Sequence, residues 1–440
     1  MSYTQVGVDR PRTDGKQQVT GQVQFVGDMY LPGMLYAKGL LSPEHHAKIL
    51  RLDTSKAERL PGVRAVVTVK DVPNNTTGQI VPDQPVFAAD KVRHRGEPIA
   101  VVAADSEEIA QEAVELIKVE YERLPAVFDA REAMQPGAPI VHEEGQGKFC
   151  KGNVVLAFGH ECMRLVRGDV EKGFAEADFI LEETISTSSQ RSTPIEPFAY
   201  LVKPEATGKV TVWTNSQVPF MVSGILAPVL ALPLNKVRVI SPAVGGGFGQ
   251  KGMMMLEPNV AVLALKAGKP VRWALTMEEH FLVGSTKAPH YATYKLGVKN
   301  DGSLTAIHRT HIANAGAYAS VTVLTSGKCT MLGSGPYRIP NQLAEAWTVY
   351  TNKPQSGPFR GFGMSQPAVA FETLMDMAAE RLGMDPMDFR LKNVLVDGDR
   401  SGTGQTMHSV GMKACLEKIR ELSGWDHRKE AAQAAAASAR

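Results

Sequence analysis

Three short stretches combine residue types that could do chemistry. The first, Ser241–Lys251, reads SPAVGGGFGQK, and four of its residues 245–249 are glycine. Glycines there permit positive φ and let backbone N–H groups close on an anionic or metal-bound group. A tight strand-to-helix turn would use the same composition. The G-x-G-x-x-G spacing of a dinucleotide fold is missing, and Lys251 is followed by Gly252 where a P-loop needs Ser or Thr. The second stretch, Gly357–Gln366, sets Arg360 between Phe359 and Phe362 in a glycine-bounded loop. An arginine so flanked suits an anion or an aromatic ligand, and a plain surface turn has little use for two phenylalanines. The third is Gln217, just past an apolar β-type run. Alone, such a glutamine caps a helix or faces solvent.

These residues need elements to position them. In the first 130 residues, Met34–Leu41, Arg64–Val69, Ile99–Ala103 and Lys118–Tyr121 read as strands of one compact α+β unit. Ser106–Ile117 reads as a helix with Asp105 as N-cap and Glu108 three residues on; Asp53–Leu60 reads as a shorter helix stopped by Pro61 and Gly62. The Pro/Gly-rich run Gln135–Pro139 marks a boundary. Beyond it, Phe179–Ser188, Lys209–Thr214, Val237–Ser241 and Val271–Leu275 read as strands, and Pro258–Lys266 as a buried helix. Tyr291–Val298 and Leu304–Ile312 flank Asn300-Asp301-Gly302, a hairpin signal. Ala368–Leu382 is an amphipathic helix closed by Gly383. The alanine-rich end has little to bury.

Composition removes several classes. With 440 residues, 43% hydrophobic and 21% charged, the chain is of ordinary globular type, long enough for two or three domains. Lys and Arg (48) nearly balance Asp and Glu (46), so no global field calls for a nucleic acid. Cys150, Cys162, Cys329 and Cys415 form no C-x-x-C pair, which excludes a zinc ribbon or a self-contained iron–sulfur domain and suits a reducing, cytoplasmic setting. The N-terminus lacks the apolar core of a signal peptide. The uncharged stretch Val210–Asn235 is broken by Pro219, Pro228 and Pro233 and reads as buried soluble structure, so no membrane span is expected.

Taken together, GGGFG-x-K followed roughly a hundred residues later by FRGFG resembles the molybdenum-binding subunits of the xanthine oxidase family of molybdenum hydroxylases. Lys16–Asp28, Gly33–Ala37, Ser42–His46 and Asp53–Val63 are similar to phrases of that family's α/β hammerhead domain. The resemblance implies an α+β chain. A hammerhead domain at 1–135 is followed by the first molybdenum-cofactor-binding domain at 150–428, with a disordered tail at 429–440. It implies molybdopterin cytosine dinucleotide carrying Mo with oxo, hydroxo and sulfido or selenido ligands. It further implies that the chain stops before the second cofactor-binding domain, as in split members of the nicotinate dehydrogenase type. A second molybdenum subunit would then carry the catalytic glutamate, a [2Fe–2S] subunit the clusters, and a further subunit FAD.

Residue by residue, the resemblance makes Gln217 the hydrogen-bond partner of a molybdenum ligand, not a direct metal ligand. It makes Gly246, Gly247, Phe248, Gly249, Phe359 and Arg360 cofactor-binding, Phe362 a substrate-facing aromatic, and Lys328 the substrate cation and a catalytic residue. The implied reaction hydroxylates an electrophilic carbon of a small N-heteroaromatic substrate with oxygen from water. An aldehyde oxidoreductase subunit and a non-catalytic scaffold paralogue are the alternatives. Three positions depart from the pattern. Gly252 stands where purine-oxidising members have a glutamate, Gly361 where carbon monoxide dehydrogenases have a cysteine, and Ser192 where a histidine is frequent. Glu196 is expected in a structural role, Lys251 against a carboxylate, Met253–Met255 in core beside the pocket, and His45 and His46 in hammerhead packing.

Overall fold

The computed structural model describes residues 4–427, so the tail expected at 429–440 lies outside them. The chain forms two compact units, each drawn from separate stretches. The first gathers residues 4–79, 84–124 and 192–284. Its central sheet runs Val237–Ile240, Val210–Thr214, Ala199–Pro204, Val271–Ala274, Leu35–Leu41, Pro98–Ala104, Val63–Val67. The strands near the N-terminus therefore do not close on themselves. Leu35–Leu41 pairs in parallel with Val271–Ala274, and strands from 199–274 complete the sheet. Six consecutive residues of Pro98–Ala104 are buried, because the strand is covered on both faces. Ala100 and Val102 pack on Ala113 and Val114 of helix Glu107–Leu116, while Ile99 packs with Ala47 and Val92 on a second, three-stranded sheet.

That helix begins one residue later than its sequence indicated. Ser106 is the cap, its hydroxyl accepting from the Ile109 N–H at 3.3 Å, whereas Asp105 takes Arg64 through two bonds of 2.8 and 2.5 Å. A guanidinium fork outcompetes a helix end for the carboxylate. The segment expected as buried structure at Val210–Asn235 resolves into strand Val210–Thr214 and helix Pro219–Val229, opened by a proline at its first position. It is not wholly buried, since Phe220 is 91% exposed.

The second unit gathers residues 80–83, 125–191 and 285–427. Its sheet runs Phe179–Ser186, His290–Val298, Leu304–Gly316, Asn341–Tyr350, Val154–Val155, Cys150–Lys151, with Met163–Arg167 also pairing Asn341–Tyr350. The Asn300-Asp301-Gly302 hairpin joins His290–Val298 to Leu304–Gly316 as expected, and Gly302 takes φ +84° at its tip. Alternate residues of His290–Val298 face the core, where Ala292, Tyr294 and Leu296 meet Phe371 and Leu374 of helix Ser365–Leu382. Leu304–Gly316 and Asn341–Tyr350 are parallel, which requires a crossover connection. Helix Thr322–Leu332 supplies it and carries Lys328 and Cys329; it has no counterpart in the elements read from the sequence. Among the described residues no helix is long and apolar enough to cross a membrane.

Candidate functional site

In the first unit, strand Val210–Thr214 ends three residues before Gln217, and Val237–Ile240 runs beside it in parallel and enters the glycine loop. Parallel neighbours deliver Gln217 and the loop to the same edge. The Gln217 N–H donates to the Lys251 carbonyl at 2.8 Å, and its Oε1 accepts from the Gly249 N–H at 3.0 Å. With Oε1 anchored, the side chain of this exposed residue keeps its Nε2 hydrogens as donors. Gly247 must be glycine for this contact, since a Cβ there would lie 2.6 Å from Gln217 Cδ. Gly246 and Gly249 both take φ +98°, and Phe248 is held at φ +52° with its ring half exposed. A phenylalanine in the left-handed region stores backbone strain of the kind concentrated at ligand clamps.

Behind the loop, Lys251 is fully buried, and its Nζ donates to Glu196 Oε2 at 2.7 Å. The same oxygen accepts from the Gly245 N–H at 2.6 Å. Burial pulls the Lys251 ammonium below its usual range, and Glu196 opposes that pull. The expected structural role of Glu196 and the lysine–carboxylate pair are both present. Glu196 Oε1 is buried without a hydrogen-bond partner among the described residues, and the carboxyl borders a cleft of about 540 Å³ lined also by Phe198 and Gly245. Ser192 donates to Gln250 Oε1 at 2.7 Å, the oxygen that also lies 3.2 Å from His280 Nε2. A hydroxyl therefore bonds the same oxygen as an imidazole one element away. Met253–Met255 are buried, and so is His46.

In the second unit, the FRGFG loop leads into helix Ser365–Leu382, and Phe362 takes φ +27°. Lys328 Nζ sits 4.8 Å over the Phe362 ring. The two residues expected to face substrate are thus brought together by the crossover helix. The loop's other phenylalanine is matched in the same way: Lys287 Nζ lies 4.8 Å over the Phe359 ring and donates to the Arg360 carbonyl at 3.3 Å. Partial burial lowers the Lys287 ammonium pKa. Lysines, not Arg360, therefore occupy the aromatic faces, and the Arg360 side chain is exposed. Sequence reasoning missed Lys287, whose only local signal is a cation beside a predicted strand. It also missed His290 and His311, which lie with Cys329 in the core. Burial pushes the His290 imidazole down to about 4 and the Cys329 thiol up to about 12.

The donor set fits an oxygen-rich anionic cofactor. In the first unit, the Gln217 amide NH₂ and the closely approachable glycine backbone offer hydrogen bonds; in the second unit, the exposed Arg360 guanidinium offers its own. The chain's own relatives agree with that chemistry. Residues 153–394 match the family model for the molybdopterin cofactor-binding domain, and residues 20–125 that for the aldehyde oxidase and xanthine dehydrogenase a/b hammerhead domain. The chain belongs to the xanthine dehydrogenase and aldehyde oxidase family of molybdenum-dependent oxidoreductases. It is 37% identical over 421 residues to the nicotinate dehydrogenase large molybdopterin subunit of Eubacterium barkeri, covering 95% of this chain and 96% of that one. It is 37% identical over 427 residues to a probable xanthine dehydrogenase subunit of Bacillus subtilis, covering 94% of this chain and 56% of the relative. Quinoline 2-oxidoreductase from Pseudomonas putida 86 superposes with a TM-score of 0.88 at 30% identity, covering 98% of this chain and 56% of that one. The aldehyde oxidoreductase of Desulfovibrio gigas gives 0.87 at 30% identity, covering 93% and 46%. The chain thus spans about half the length of several relatives it matches.

Proposed function

We propose that the chain forms the first half of a molybdenum hydroxylase active site. The enzyme hydroxylates an electrophilic carbon of an N-heteroaromatic substrate: R–H plus water gives R–OH, two protons and two electrons. The observation that carries this reading is the Gln217 amide, anchored through Oε1 by the Gly249 N–H, which leaves its NH₂ to donate. The cofactor, proposed as the cytosine dinucleotide form, would supply the two-electron chemistry when bound. Gln217 and the backbone of Gly246–Gly249 would hold its oxygen ligands, and Arg360 with Phe359 would meet its anionic periphery. Phe362 would flank the substrate ring, with Lys328 supplying positive charge. Glu196 is already committed to Lys251 and Gly245, which supports a base on a partner molybdenum subunit. The match along nearly all of a large molybdopterin subunit supports that split arrangement, with [2Fe–2S] and FAD on further subunits. On this reading the modules extend over 1–135 and 150–428 and the enzyme works in the cytoplasm.

The test is coexpression with the neighbouring subunits. Molybdenum should copurify with the complex, and an N-heteroaromatic acid should be hydroxylated with oxygen from labelled water. The chain expressed by itself should show no turnover. Full activity from the single chain overturns the split site, and a complex without molybdenum overturns the enzyme reading in favour of a scaffold.

Gln217→Ala should leave the complex assembled and metal-replete while slowing turnover about 10²-fold, the typical cost of one preorganised donor. Gly247→Ala should reach a similar loss by pushing the glutamine aside, with little change in stability, because the displaced group is an exposed side-chain end. Unchanged kcat in both variants would remove Gln217 from the site.

A further inference from the structure

The core of the second unit holds a cluster that the hydroxylase reading does not use. His290 opens strand His290–Val298, His311 lies on Leu304–Gly316, and Cys329 on helix Thr322–Leu332; all three are fully buried. The two Nδ1 atoms face each other at 3.5 Å, and Cys329 Sγ lies 3.7 Å from His290 Nδ1. One ligand atom from each residue falls within 4.8 Å of the others.

These separations can be compared with what a metal imposes. With M–N about 2.0–2.1 Å and M–S about 2.3 Å, ligands in tetrahedral to trigonal array stand about 3.3–3.6 Å apart for N···N and about 3.5–3.8 Å for N···S. The 3.5 Å N···N and 3.7 Å S···N separations fall inside these ranges, while the Cys329–His311 separation is bounded at 4.8 Å. Neutral hydrogen bonds would meet the same two separations, with the rings in different tautomers, so it is the convergence of three ligand atoms that marks the cluster. The outer atoms are arranged as well. His311 Nε2 lies 3.0 Å from the Tyr294 hydroxyl, a contact that orients the ring and leaves Nδ1 toward the cluster. His290 Nε2 is buried with no hydrogen-bond partner among the described residues, so nothing there dictates that Nδ1 keep a proton. The Cys329 thiol donates to the Gly363 carbonyl at 3.0 Å, which places that backbone oxygen beside the cluster as a further oxygen donor.

We propose that His290, His311 and Cys329 bind a cation of borderline-soft character, zinc(II) or copper(I). An imidazole-and-thiolate set favours such ions over magnesium or calcium. On binding, the Cys329 S–H bond breaks, the proton leaves to solvent, and a metal–sulfur bond forms without change of oxidation state. The cluster is next in the chain to the Lys328–Phe362 pair: Cys329 follows Lys328, and Gly363, whose carbonyl takes the thiol, follows Phe362. A metal there would tie the crossover helix to the sheet and pin the helix that carries Lys328. The proposal does not depend on the hydroxylase reading.

The full chain, prepared metal-free and refolded with one equivalent of Zn²⁺ or, anaerobically, Cu⁺, should retain one ion per chain through desalting by elemental analysis. Which ion is retained distinguishes the two sources. X-ray absorption on the loaded parent chain should show one sulfur at about 2.3 Å with nitrogen near 2.0 Å. Refolding with Co²⁺ should give a thiolate-to-cobalt absorption band that Cys329→Ser abolishes and Cys415→Ser leaves intact. Failure of the parent chain to retain either ion overturns the proposal, as does a coordination shell without sulfur. A cobalt band that survives in folded Cys329→Ser also overturns it. If Cys329→Ser does not fold, the absorption spectrum of the parent chain decides.

Discussion

Replacing Lys328 by methionine is expected to lower kcat/KM of the assembled enzyme 10²–10³-fold for a ring carboxylate or another electron-poor ring. Methionine keeps the stem's volume and removes the charge. Lys328 Nζ stands 4.8 Å over the Phe362 ring, so an aromatic substrate lying against Phe362 would meet the ammonium close by. A preorganised cation facing charge that develops in the transition state is worth ~3–4 kcal/mol, which gives the stated range. An uncharged aldehyde, if it is a substrate, should suffer less. Lysine is a point charge without a bidentate fork, so Lys328→Arg should restore the charge but not the full rate. Steady-state kinetics on paired substrates decide the matter. Parent rates on every substrate would move the pocket's cation to Lys287 or to a partner subunit.

Truncating Glu196 to alanine is expected to destabilise the first unit by about 3–5 kcal/mol, the cost of leaving one member of a buried ion pair uncompensated. Two donors lose their acceptor at once, since Glu196 Oε2 holds both the fully buried Lys251 ammonium and the Gly245 N–H. Lys251→Met should cost less, because the remaining carboxylate keeps Gly245 and is 13% exposed. The double variant Glu196→Leu with Lys251→Met should fall between parent and Glu196→Ala, as paired buried charges are often replaceable by apolar volume. The cost in Glu196→Ala should also depend on pH. Burial already lowers the Lys251 pKa from 10.5, and removing the carboxylate removes the influence that opposed it. The unfolded chain then binds more protons than the folded one, so stability rises with pH through the alkaline range towards 10.5. Urea unfolding of parent and variants at pH 7 and pH 9.5 measures both effects. A Glu196→Ala chain as stable as the parent would show that the pair contributes nothing to the fold.

Much of the site was legible because its signals are local. Glycine at four of residues 245–249 announces close backbone approach whatever the surrounding fold, and phenylalanines flanking Arg360 announce a loop with aromatic faces for a cation to cover. The strands and the helix read at 368–382, which begins at Ser365 in the structure, were legible for the same reason, since period-2 and period-3.6 burial is written in neighbouring residues. Asp105 misled because a helix cap is read from the three residues that follow, while its actual partner, Arg64, lies 41 residues earlier.

Tertiary structure alone decided the rest. The crossover helix Thr322–Leu332 is buried on most sides and carries little amphipathic pattern, so no periodicity marked it; the parallel pairing of its flanking strands requires a crossover there. That helix decides that Lys328 meets Phe362, and that Cys329 reaches His290 across 39 residues of chain. Likewise, only the sheet reveals that strands near the N-terminus are completed by residues 199–274. Sequence determined which residues are chemically able, because residue type and short spacing set backbone freedom, charge and hydrogen-bonding capacity. Which of them stand together was left to the fold, because long-range pairing depends on how whole buried faces match, and no local pattern encodes that match.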